Sequence, residues 1–217
     1  DLGRIRLAEK PAEFGVQWGT RELLPLIEVR VPFTLDRIEL DNVSRGCKDP
    51  DLDAVQHAAE QIARFEDTAV FTGFGAGQIK GIVEAVTQKA VPLPKDPAAY
   101  PDAVSAALKM ISLIGIGGPY TLILGPDEYF GLAAYNKGYP PYNVIKDMTD
   151  GDILMCPTLV GGLLVSTRGG DFELTIGQDL ATGYQYHDAK HVELYLTESF
   201  TFRTLEPAAA VQLTRPK

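Results

Sequence analysis

The first stretch of the chain, residues 1–20, constrains its fold more than any other. Leu2, Ile5 and Leu7 alternate loosely with Arg4 and Arg6, Pro11 and Gly15 break the run, and Phe14 and Trp18 add aromatic surface. The pattern reads as an extended ribbon, and a two-stranded ribbon alone is marginal in water. It cannot bury both of its faces locally. Its apolar side chains need a surface from another chain, so the fold is expected to work as part of an assembly.

The remainder supplies ordinary cores. Ile27, Val29, Val31 and Phe33 alternate with Glu28, Arg30 and Pro32, which predicts a strand at a sheet edge or bulged at Pro32, where a ladder donor is missing. Asp49, Pro50, Asp51 and Asp53 then announce a helix over 52–71, with Leu52, Val55, Ala59, Ile62 and Phe65 at helical spacing. A second helix is predicted from Pro101 to Ile114 with Gly115 as its cap, then a strand at Tyr120–Leu124 and a short helix at Asp127–Ala134. Tyr135–Tyr142 reads as a loop from its glycine and prolines, and Gly161-Gly162 and Gly169-Gly170 as hairpin turns. Two alternating stretches close the chain, at Phe172–Ile176 and Val192–Phe202. Helices and strands mix without a regular βαβ repeat, so the class is α+β.

Charge and chemistry narrow the function. With 20 basic and 29 acidic side chains among 217 residues, the net charge is −9, which disfavours wrapping nucleic acid or lying on an anionic membrane. The most apolar run, Met110–Leu124, is too short and too rich in glycine to span a bilayer, and no secretory leader is visible in the sequence as given. Cys47 and Cys156 are too few for a disulfide framework and lack a histidine nearby in sequence. His187 and His191 sit four apart, but the alternation that follows places them beside a strand, not on one helix face, so no metal is expected. His57 is read as an exposed helical histidine. Gly73, Gly75 and Gly77 fail the dinucleotide fingerprint at Gln78. Glu198 interrupts an apolar strand face, and is expected to mark a bulge or to pair with an arginine. The residues alone thus point to no catalytic group and no cofactor.

Several segments, taken in order, resemble the encapsulin family, the linocin-type shell proteins of prokaryotic nanocompartments. They are Trp18-Gly19; Leu24-Pro25-Leu26-Ile27-Glu28-Val29-Arg30; Pro32-Phe33-Thr34-Leu35 with Glu39 and Asp41; and Phe65-Glu66-Asp67. Gly118-Pro119-Tyr120, Gly138-Tyr139-Pro140 and Thr167-Arg168-Gly169-Gly170-Asp171-Phe172 continue the series. Gly177-Gln178-Asp179-Leu180, Gly183-Tyr184, and Thr197-Glu198 with Phe200-Thr201-Phe202 complete it, and the style is closest to actinobacterial members.

The resemblance implies an HK97-like capsid fold. Residues 1–30 would form the E-loop, 31–119 a peripheral domain with its spine helix, 120–165 an axial domain, and 166–217 the strands returning to the peripheral domain. Leu2, Ile5, Leu7, Phe14 and Trp18 would make assembly contacts. Asp179, Leu180 and Thr182 would line a lumenal pocket for the C-terminal peptide of a cargo enzyme, such as a dye-decolourising peroxidase or a ferritin-like protein. The loop with Asn136, Lys137, Gly138 and Tyr139 would ring a pore. Ile38 stands where some members carry a tryptophan beside flavin, so no flavin is expected. The implied function is a non-enzymatic, cytoplasmic shell subunit that self-assembles into an icosahedral container. A viral major capsid protein of the same fold and a hydrolase using Glu198 or a cysteine are the alternatives.

Overall fold

A computed structural model describes residues 4–215, so Leu2 lies outside the described residues. The chain begins with β1 (Arg4–Leu7), β2 (Gly19–Glu22) and β3 (Ile27–Asp36), followed by α1 (Arg37–Ser44), α2 (Asp53–Phe71) and α3 (Ile82–Ala85). Next come β4 (Val91–Pro92), α4 (Tyr100–Leu113), β5 (Tyr120–Leu124), α5 (Pro126–Ala133) and α6 (Pro141–Thr149). The chain closes with β6 (Ile153–Met155), β7 (Gly162–Ser166), β8 (Phe172–His187), β9 (His191–Thr204) and β10 (Ala210–Thr214). The class is α+β.

Three sheets organise these elements. β1 and β2 pair antiparallel with each other, from Arg4 opposite Glu22 to Leu7 opposite Gly19. β3, β9 and β8 form a long antiparallel sheet in that order, and the remaining strands form a mixed sheet ordered β4-β10-β7-β5-β6. Every residue of β5 and β7 is buried, because that sheet is covered on both faces. On one side Leu122, Leu124 and Leu164 pack with Val104, Ala107 and Ile111 of α4 and Ile145 of α6. On the other, Ile123, Leu163 and Val165 meet Ala69 of α2 and Phe200 and Phe202 of β9. A third cluster joins Phe33 and Leu35 to Ala58, Ile62 and Leu196, seating α2 across the long sheet. β3 is an edge strand, as its Pro32 requires.

Several expectations need correction. The stretch Tyr135–Tyr142 is loop only as far as Pro140, since Pro141 opens α6 at a position where its missing N–H costs nothing. Helix α1 carries no readable apolar stripe; none of its side chains is fully buried, and Leu40 packs in part against Phe33, Leu35 and their cluster. Gly161-Gly162 is not a hairpin turn: β6 and β7 flank β5 on opposite sides, and Gly162 is already strand. Gly169-Gly170 links two different sheets, β7 to β8, with both glycines at positive φ. Of the two readings offered for Glu198 the bulge holds: it sits between Thr197 and Ser199, opposite the register shift of β8 between Gln178 and Ala181, and among the described residues it pairs with no arginine.

Candidate functional site: a docking surface on the bulged strand

The irregular part of β8 is where sequence and geometry converge. At its bulges the Gln178 N–H donates to the Ser199 hydroxyl at 2.8 Å, and the Asp179 carboxylate accepts the Leu180 N–H at 2.8 Å. Asp179, Leu180 and Thr182 are all exposed. Leu26 lies against Gly177, where any side chain would collide with it, and Leu174, Ile176 and Leu180 of β8 are each exposed. The surface combines short apolar anchors with a carboxylate, which suits an extended peptide with apolar side chains and one polar or basic group.

Beneath the bulge lies an acidic cluster that the sequence did not reveal. Glu198 of β9 is 9% exposed, and its Oε1 atom has no hydrogen-bond partner within the protein. Burial, then the nearby Glu66, then Asp179 raise its pKa above the ordinary glutamate value. Glu66 of α2 is half-buried and shifted upward too, by burial first and then by Asp67 and Asp179. The signal for Glu66 was its place on the helix, four residues after buried Ile62 and three before buried Ala69.

The other expected residues lie elsewhere. Asn136, Lys137, Gly138 and Tyr139 form an exposed loop between α5 and α6, with Gly138 at φ +76° making its turn. In the ribbon, Ile5, Leu7 and Trp18 are exposed, and Phe14 at the tip is 98% exposed with a left-handed backbone. His57 is exposed on α2. At the β8–β9 turn the His187 Nδ1 lies 2.6 Å from the Tyr184 hydroxyl, while the His191 ring lies 3.4 Å from both Asp36 and Asp188. Backbone donation from His191 and Lys190 pulls the Asp188 carboxyl down to about 2. Among the described residues no group of three or more His, Cys, Asp or Glu side chains is placed to hold a metal ion. Nor is any helix long and apolar enough to cross a membrane.

Residues 1–201 match the linocin M18 family, described as encapsulating protein for peroxidase. The chain is 47% identical to a type 1 encapsulin shell protein of Rhodospirillum rubrum, the match covering 98% of this chain and 78% of that protein. It is 41% identical to a type 1 encapsulin shell protein of Mycobacterium tuberculosis, over 98% of this chain and 80% of the relative. A virus-like particle from Pyrococcus furiosus shares the fold at a TM-score of 0.66 and 19% identity, covering 97% of this chain and 84% of its own. The capsid of phage XM1 superposes at a TM-score of 0.59 and 10% identity, over 98% of this chain and 83% of its own.

Proposed function

The chain belongs to the encapsulin shell-protein family and has the HK97-like capsid fold, and from that premise we propose how its parts serve a self-assembling shell. The subunit docks a cargo enzyme on the bulge of β8, through Asp179, Leu180 and Thr182. The observation that carries this reading is an exposed, register-broken strand with open apolar side chains at Leu174, Ile176 and Leu180. Soluble proteins rarely leave such a surface uncovered unless something binds there. The family's description makes a peroxidase the first cargo to test, with a ferritin-like protein as the second.

The other parts follow the same division of labour. The ribbon of residues 1–30 is the arm that neighbouring subunits complete, 31–119 the peripheral domain, 120–165 the axial domain, and 166–217 the return strands. Asn136, Lys137, Gly138 and Tyr139 ring an aperture at a symmetry axis. The subunit itself is not an enzyme, and the container works in the cytoplasm. A net charge of −9 favours a protein cargo over packaged nucleic acid.

Substituting Leu180→Asp tests the docking site. Replacing one buried anchor by a charge costs about 2 kcal/mol, or roughly thirtyfold in affinity. Shells should remain intact by negative-stain microscopy while the cargo that co-purifies with them falls sharply. Equal loading of variant and wild-type shells removes β8 as the docking surface.

A further inference from the structure

We propose that Glu66, Asp179 and Glu198 make a proton-linked cation subsite in this docking surface, which takes a protonated amine or guanidinium and releases a proton to solvent as it does so. The inference rests on the docking reading above.

Among the described residues three carboxylates are buried: Asp171, Glu128 and Glu198. The fold gives two of them an arginine. Arg168 holds Asp171 through Nε at 3.0 Å and a second guanidinium nitrogen at 2.7 Å, and Arg215 clamps Glu128 together with Asp127. Glu198 has no such partner. From α2 it is faced by Glu66, with Asp67 beyond, and from β8 by Asp179. Opposite it on β3 stands Val29, whose neighbours Glu28 and Arg30 are exposed and pair with each other at 3.2 Å. Arg30 is engaged a second time, its guanidinium lying 4.0 Å from the centre of the Tyr195 ring. Among the described residues, this buried carboxylate is thus faced by like charge and by no cation.

A buried carboxylate whose Oε1 has no hydrogen-bond partner, with Glu66 beside it, favours its protonated form, so the proton on Glu198 and an incoming cation compete for one place. A cation arriving over Asp179 and Glu66 does electrostatically what the proton did, and the proton leaves. The apolar stem of a lysine or arginine has Leu180 and Ile176 to lie along. Cation binding and acidity therefore compete.

The test titrates assembled shells with butylguanidinium, and separately with butylurea as its uncharged counterpart, by calorimetry in buffers of different ionisation enthalpy. Butylguanidinium should bind with release of up to about one proton, and its affinity should fall by up to about tenfold per pH unit on acidification. Butylurea should bind at least tenfold more weakly. Glu198→Gln should abolish the proton release, and so should Glu66→Gln, which changes a half-buried position and keeps the test open if the first variant misfolds. Binding to the wild type without proton release, release in both variants equal to that of the wild type, or no binding of butylguanidinium overturns the subsite. None of these results touches the docking reading, which stands or falls on cargo loading of Leu180→Asp shells.

Discussion

Glu198 and Glu128 occupy comparably dry places on the same chain, and the difference between them is one arginine. A buried carboxylate with a guanidinium on it is compensated, whereas one facing two other acids carries its desolvation cost unrelieved. Because burial, Glu66 and Asp179 raise the Glu198 pKa, the folded chain binds a proton more readily than the unfolded one does. The penalty is therefore in full force above the raised value and fades as pH falls through it towards the ordinary glutamate value. Glu198→Gln should accordingly stabilise the subunit at neutral pH, by on the order of 1 kcal/mol, and the gain should vanish in acid. Thermal unfolding of both proteins across that pH range checks it. A variant destabilised equally at every pH would show that Glu198 is held by packing and not by charge.

At the scale of elements, the ribbon is the part that does not pay its way within one subunit. β1 and β2 satisfy each other's backbone, and the Ala8 N–H continues the ladder to the Trp18 carbonyl at 2.9 Å, but the side chains find no core. Leu7→Asp with Trp18→Asp should leave helix content and the unfolding of the isolated subunit unchanged while shells fail to form. Circular dichroism and sedimentation would separate the two effects, and normal shells from this variant would remove the ribbon from assembly. The ribbon was legible in the sequence because its pattern had nowhere to go. α2 and β9 were legible because their apolar residues recur at the periods of their elements. α1 was not, since it buries no side chain fully and only Leu40 packs in part, and α6 was masked by Pro140-Pro141, which punctuate a loop and open a helix equally well. The glycine pairs misled because the local φ they permit is the same in a hairpin and in a passage between sheets. Asp179 and Leu180 came from family resemblance, whereas the meeting of Glu66 with Glu198 depends on how α2 crosses the sheet, which no local pattern encodes.

For the whole molecule, the pore role proposed for the loop at Asn136–Tyr139 depends on its repetition around an axis. Several copies of Lys137 around a narrow opening would favour anions, with the preference weakened by salt. Lys137→Glu should slow entry of an anionic probe into loaded shells and speed a matched cationic one, at low ionic strength more than at high. Unchanged entry of both at low salt would take Lys137 out of the gate. The ribbon has a consequence of another kind. Its strands are only four residues long and carry Arg4, Arg6, Arg21 and Glu22, so its outer edges are poor templates for endless strand addition. In the proposed assembly role it would offer a neighbour side chains, whose grip can be released, rather than a long open backbone that would zip shut. A closed container built from many copies needs misplaced members to let go and try again, and an arm in that proposed role would let errors be corrected before the last gap is filled.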